Sequence, residues 1–258
     1  MVQREDVISF ILSYLGKDLL FKANAVDEVG NGVQFRGKAE VSKIALGVSL
    51  NADFLEKAVS WGADFCIFHH GFDPRTYKAC YPAFSQKRMR LILENGLTIM
   101  GLHYVLDAHP EIGNNAVIIK RLGAAVSESL FDAWGYTGVF EEEMPVEKLE
   151  RECRKLFNHE VFSILTGSKK VRKIGVVSGA GKPDAGNVME MEAKRVDAFI
   201  TGETGESVPH KMKESKINYL VCGHYATEVF GVTELGKKIK DHFGEKVEAK
   251  FIDIMNLI

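Results

Sequence analysis

Short apolar runs alternating with amphipathic stretches constrain this chain more than any other feature, because that order builds β-α-β units around a largely parallel sheet. Residues 44–50, 65–68, 97–102, 174–177, 198–201 and 219–222 are predicted strands. Helices are predicted between them around Phe54, Leu55, Ala58 and Val59, through 89–93 and through 188–193. Val7, Ile8, Ile11, Leu12 and Leu15 form one face of an opening helix. Runs at 139–140 and 161–165 flank a helical stretch at 146–157, and residues 247–254 alternate apolar with polar; these runs are predicted as further strands, some of them antiparallel edges.

The alternation also repeats itself. The segment Lys43-Ile44-Ala45-Leu46-Gly47-Val48-Ser49, a helix, then Ala63-Asp64-Phe65-Cys66-Ile67-Phe68-His69-His70, returns as Lys173-Ile174-Gly175-Val176-Val177-Ser178, a helix, then Val196-Asp197-Ala198-Phe199-Ile200-Thr201-Gly202-Glu203. Counted from Asp64 and Asp197, His70 and Glu203 hold the same place just past a strand. A second strand follows each, ending in His103-x-x-x-Asp107 and in His224-x-x-x-Glu228. The expected fold is therefore α/β: one compact unit over 1–258, made of two pseudo-equivalent β-α-β lobes at about 1–128 and 129–258. The sheets should be mixed and largely parallel, with a metal site between strand carboxyl ends.

Composition removes several classes of function. Thirty-three Lys and Arg against 35 Asp and Glu leave a formal charge of −2, so no basic field points to nucleic acid as the main partner. No apolar run reaches the ~18–20 residues of a membrane span. Acidic Glu5 and Asp6 precede the first apolar stretch, unlike a signal peptide, and a cytoplasmic location is expected. Cys66, Cys80, Cys153 and Cys222 are widely spaced, as reduced core thiols are, and form no zinc finger.

Ligands collect beyond the carboxyl ends of parallel strands, where loops converge over a rigid base. Six of the eight histidines, His69, His70, His103, His109, His210 and His224, fall in such loops. With Asp107, Glu203 and Glu228 they make an imidazole and carboxylate set suited to Zn, Mn, Fe or Co. A single strand-end histidine is ordinarily a polar core residue. His69, His70, His224, Asp107 and Glu228 share strand-end positions in two related units and so stand apart as metal ligands. Neighbours on a strand point to opposite faces, so His69 and His70 need the turn at Gly71 to address two metals. His224 and Glu228, at i and i+4, chelate together if the segment turns helical. His103 and Glu203 are the candidates for proton transfer. His109 and His210 read as rim residues, and His159 and His242 as solvated. Gly179-Ala180-Gly181-Lys182 follows a strand and reads as a tight turn or a phosphate cradle.

The blocks Asn31-Gly32-Val33-Gln34-Phe35-x-Gly37, Phe68-His69-His70-Gly71, Leu106-Asp107-Ala108-His109-Pro110, Gly113-Asn114-Asn115, Ile200-Thr201-Gly202-Glu203 and Gly223-His224-Tyr225-Ala226-Thr227-Glu228 occur in order across the chain. They resemble the NIF-three-like family, also catalogued as GTP cyclohydrolase I type 2, in its compact form without an inserted domain. The resemblance implies two divalent ions per chain (Zn, Mn, Fe, Co or Ni): His69 with His224 on one, His70 with Asp107 on the other, Glu228 bridging. It further implies a toroidal homohexamer, a trimer of dimers, and a hydrolase acting on a nucleotide or related small substrate. A metal-binding scaffold or regulator without turnover is the alternative.

Overall fold

The computed structural model describes residues 1–27, 30–75 and 78–258. In chain order the strands are β1 Val2–Gln3, β2 Gly32–Phe35, β3 Glu40–Val41, β4 Lys43–Ser49, β5 Phe65–His70, β6 Thr98–Gly101 and β7 Ala125–Leu130. They continue as β8 Gly135–Pro145, β9 Phe162–Ile164, β10 Lys170–Val177, β11 Ala198–Thr201, β12 Asn218–Val221 and β13 Glu248–Phe251. The helices are α1 Arg4–Leu15, α2 Lys17–Val26, α3 Ala52–Trp61, α4 Ala83–Glu94 and α5 Tyr104–Ala108. After them come α6 Asn114–Arg121, α7 Val146–Phe157, α8 Ala185–Ala193, α9 Val208–Glu214 and α10 His224–Phe243. Among the described residues no helix is long and apolar enough to cross a membrane.

The chain divides into two units, Met1–Leu106 with Gly231–Ile254, and Asp107–Phe230 with Met255–Ile258. The first holds a five-stranded sheet in the order β13-β4-β5-β6-β2, and the second a six-stranded sheet in the order β7-β8-β10-β11-β12-β9. In the first, β4, β5 and β6 are parallel and β2 lies antiparallel on β6. In the second, β10, β11 and β12 are parallel and β9 lies antiparallel on β12. The units differ at the opposite edge: the returning β13 pairs parallel with β4, whereas β8 pairs antiparallel with β10.

The internal repeat is present down to single backbone bonds. Asp64 donates its amide to Lys43 O at 2.9 Å, and Asp197 donates to Lys173 O at the same distance. The next strand donates back, Thr98 N to Asp64 O and Asn218 N to Asp197 O, both at 3.0 Å. Both aspartate side chains then reach across the strand starts. Asp64 Oδ2 accepts from the amides of Ser42 and Lys43 and from Ser42 Oγ, and Asp197 Oδ2 accepts from the amides of Arg172 and Lys173. Each carboxylate satisfies strand-end amides that the parallel ladder leaves over.

Packing explains why the strands read as continuous apolar runs. In the second unit, Ile174, Val176, Ala198, Ile200, Leu220 and Cys222 pack with α6 and α7 on one face. The intervening Phe199, Tyr219 and Val221 pack with Val188, Met191, Val208 and Met212 of α8 and α9 on the other. A sheet covered on both faces has no polar side to alternate with. In the first unit Ala45, Cys66, Phe68 and Ile99 pack against Phe54, Leu55 and Ala58 of α3 and Ile92 of α4. The four cysteines are free thiols; Cys66, Cys153 and Cys222 are buried as core thiols, whereas Cys80 is exposed and not the core residue expected, and burial pushes the Cys66 thiol up to about 12, which keeps it inert.

The repeat differs at its helix ends. Gly62 and Gly96 take left-handed backbone before β5 and β6 (φ 82° and 59°), whereas Arg195 and Lys216 take it at the matching places before β11 and β12 (φ 54° and 59°). A side chain is disfavoured there. Replacing exposed Lys216 with Gly is expected to raise stability by about 0.5–1 kcal/mol, read from the denaturant midpoint. Asp64 gives a second test. Burial raises its pKa, but the bonds from Ser42, Lys38 and Lys43 outweigh it and hold the carboxyl below the ordinary aspartate value. The depressed folded pKa means stability present above about pH 3.9 and lost as pH falls through the folded value. Asp64→Asn should therefore cost about 1–3 kcal/mol at pH 7, and its deficit against the parent should close below about pH 4 in urea titrations.

Candidate metal centre

In the first unit the strands deliver three imidazoles to one place. β5 ends in His69 and His70, and β6 runs through Leu102 into His103 at the start of α5. The rings lie 4.7 Å (His69 to His70), 5.0 Å (His69 to His103) and 5.3 Å (His70 to His103) apart between centroids. Each offers a nitrogen within 4.8 Å of the other two. His69 and His70 meet while both still lie within β5, so the turn at Gly71 is not what brings them together.

Each ring is oriented through Nδ1. His69 Nδ1 bonds to the Leu102 carbonyl at 3.2 Å, His70 Nδ1 to Ser49 Oγ at 2.9 Å and His103 Nδ1 to Asp27 Oδ2 at 2.9 Å. A carbonyl and a carboxylate have no proton to give, so Nδ1 of His69 and of His103 is the donor and Nε2 is the ring's acceptor atom. Such outer partners set the tautomer of metal-binding histidines. His103 also stacks on Tyr104 at 4.6 Å.

Asp27 is a residue the sequence reading missed. Its carboxylate is buried, 2 % exposed, and Asn31 Nδ2 donates to the same oxygen that His103 contacts. Asn31 Oδ1 in turn accepts the amide of Val105. Gln34, three positions on, brackets Phe72 by accepting its amide at 2.7 Å and donating to its carbonyl at 2.8 Å. The block from Asn31 to Gln34 thus supports the histidines from behind. The signal available in sequence was a cluster of amides next to an aspartate, which looks like an ordinary loop.

In the second unit the same strand ends supply a different set. His224 and Glu228 stand at i and i+4 at the start of α10, and His224 Nε2 lies 3.1 Å from Glu228 Oε1. Glu203, just beyond β11, accepts from His224 Nδ1 at 2.5 Å and from Lys182 Nζ at 3.0 Å. Burial alone lowers the His224 pKa, but the Glu228 and Glu203 carboxylates outweigh it and raise it to about 9. The His224 bond, set against burial and helped by Lys182, holds Glu203 below the ordinary glutamate value. Asp107 is buried, and its Oδ1 accepts from Ser178 Oγ at 2.6 Å and from Asn114 Nδ2 at 3.0 Å. Asn115 fixes the same corner by bonding Asp107 O, Trp134 O and the amide of Ser178. Ser178, Asn114 and Asn115 are supporting residues that spacing could not reveal.

The remaining histidines stand elsewhere. His109 Nδ1 accepts the amides of Glu111 and Ile112 and so caps a buried turn. His210 is exposed on α9, His159 is exposed and bonds to Glu160 O and Leu257 O, and His242 stacks on Phe10 at 4.1 Å. The loop from Gly179 to Lys182 is a turn that packs on the donors. The Gly179 amide donates to Thr227 Oγ1 at 2.9 Å and the Lys182 amide to Ala180 O at 2.8 Å, so both amides are taken by protein groups.

Buried imidazole and carboxylate without thiolate, with outer partners fixing the tautomers, is the donor chemistry of a divalent transition-metal site. An α/β protein carrying such donors at the ends of two repeated β-α-β units defines the class. The family model for Duf34/NIF3 (NGG1p interacting factor 3) matches residues 2–256, and the chain belongs to that family. A protein of Pyrococcus abyssi named GTP cyclohydrolase 1 type 2 homolog is 32% identical over 257 residues, covering 98% of each chain. One of Haemophilus influenzae with the same name is 32% identical over 235 residues, covering 88% of this chain and 91% of the other. The solved structure of ybgI, described as of unknown function, matches with a TM-score of 0.88 at 28% identity over 100% of both chains. Reduced HcgD from Methanocaldococcus jannaschii shares the fold, with a TM-score of 0.82 at 19% identity over 98% of both.

Close approach at Gly179 gives a direct test of this packing. A Cβ there would stand 2.0 Å from Glu228 Oε1 and 3.1 Å from His224 Nε2, on backbone at φ +58°. Gly179→Ala should destabilise the metal-free protein by about 1–3 kcal/mol, and the penalty should shrink in a Glu228→Ala background that removes the struck carboxylate. Equal penalties in both backgrounds would show that the two groups do not meet.

Proposed function

We propose that this protein is a hydrolase dependent on a dinuclear metal centre. The observation that carries this reading is the tautomer-locked imidazole cluster at the ends of β5 and β6, matched in the repeat by the His224 and Glu228 pair. On the family pattern, His69, His70, Asp107, His224 and Glu228 are the residues that would hold the ions. Divalent ions held there would supply Lewis acidity, lowering the pKa of a water and polarising a substrate. Asp107 is held in place by Ser178 and Asn114, which both donate to its Oδ1. His103 is the group for proton transfer: Asp27 fixes the proton on Nδ1, so Nε2 accepts or returns one at the substrate.

The substrate class is a nucleotide or a related small molecule, and the relatives' name makes GTP the first to try. The cyclohydrolase version would consume two waters: one adds at C8 and opens the guanine imidazole ring to a formamide, and the second hydrolyses that formamide to formate and a free amine. The reading includes a cytoplasmic, hexameric assembly, a trimer of dimers, which size measurement by light scattering checks.

Elemental analysis of untagged protein should find about two divalent transition ions per chain, falling when Glu228 is changed to Ala. Metal-dependent formate release from GTP, lost in His224→Ala with the assembly intact, supports the cyclohydrolase version. Two ions without formate at any pH removes GTP and moves the search to phosphoesters and amides. An assembly that collapses in His224→Ala favours a metal-binding scaffold.

A further inference from the structure

Counted from Asp64 and Asp197, Glu203 occupies the place in the second unit that His70 occupies in the first, at the carboxyl end of a central parallel strand. The repeat alone suggests a direct metal donor or a base there. Its surroundings argue for neither. One carboxylate oxygen lies 2.5 Å from His224 Nδ1 and the other 3.0 Å from Lys182 Nζ, so both oxygens are engaged by protein nitrogens. A carboxylate engaged in this way is placed to orient the groups it binds. Tyr219 Oη donates to the Glu203 carbonyl at 3.0 Å and fixes the backbone that carries it. On the far side of the same ring, His224 Nε2 faces Glu228 Oε1 at 3.1 Å. The imidazole is therefore held along one line between two carboxylates, with Nδ1 committed to Glu203 and Nε2 directed to the atom with which it would share an ion.

We propose that Glu203, anchored by Lys182, is a positioning residue that fixes the tautomer and ring orientation of His224 and so sets the affinity of the ion His224 holds. In the first unit Asp27 stands in the same relation to His103, the repeat counterpart of His224, although it arrives from a different loop. Two carboxylates recruited independently to the Nδ1 atoms of two equivalent histidines mark that position as one where ring orientation matters. The inference deepens the two-ion reading and rests on it.

The test is Co²⁺ titration of the metal-free, full-length protein, read by chelator competition and by the visible absorption of bound Co²⁺. Parent protein, Glu203→Gln and Glu203→Ala are compared. Glu203→Ala should weaken one of the two Co²⁺ equivalents about 10–100-fold and alter its spectrum while the other holds near the parent affinity. Glu203→Gln, which keeps an acceptor without the charge, should fall between them, and the melting temperature of the metal-free proteins should not move. Parent-like affinity and spectrum in Glu203→Ala overturn the proposal. Equal weakening of both equivalents with a lower melting temperature also overturns it, by making the effect one of fold. If the parent takes up less than one Co²⁺ per chain, the two-ion reading itself fails, which separates that failure from a fault in the role of Glu203.

Discussion

Register between neighbouring parallel strands is the constraint on which the donor positions depend. A strand shifted by one residue turns every side chain to the other face. His69 and His70 close β5, and His103 and His224 follow shortly after the ends of β6 and β12, so a slip of the strands would misplace them all. Asp64 and Asp197 pin the register from the opposite end. Each binds its neighbour strand's first amides through its side chain and takes its place in the ladder through its backbone. With the amino ends tied, the carboxyl ends fall into step, as Leu102 N on Phe68 O at 2.9 Å and Cys222 N on Thr201 O at 2.8 Å show. The site is thus fixed at a distance by two aspartates that take no part in its chemistry.

Much of the fold was legible because a sheet buried on both faces writes continuous apolar runs. The six central strands, α3, α4, α7 and α8 lie where periodicity placed them. What pattern could not supply was local in one case and remote in the other. The edge strands β1, β2, β3 and β7 are short or polar, and their pairing is decided by neighbours rather than by their own composition. The return of β13 to lie parallel on β4, some two hundred residues earlier, leaves no trace in a local window. The N-terminal part of α10 was foreseen only through the i, i+4 logic of His224 and Glu228.

The donors were more legible than their supports, and the reason is chemical. Histidine and acidic residues at strand ends have few structural uses, so their recurrence in a repeat carries information. Asp27, Asn31, Gln34, Ser178, Asn114 and Asn115 belong to the commonest loop vocabulary, and what sets them apart is only which oxygen or amide they meet. Asp27 shows the point most sharply. It lies 76 positions from His103 in sequence and 2.9 Å from it in space.

The repeat is conserved in backbone and broken in chemistry, and the direction of the break is informative. At the first strand end the pair is His70 and Glu203; at the second, His103 with Asp107 and His224 with Glu228. The first unit therefore gathers imidazoles, whose affinity for a cation comes from lone pairs. The second gathers carboxylates around one imidazole, where formal charge dominates and Lys182 offsets part of it. The same loop that brings Lys182 to Glu203 also lays Gly179 against Glu228. The loop after β10 thereby shapes the second set from two sides, whereas Asp27 and Ser49 shape the first.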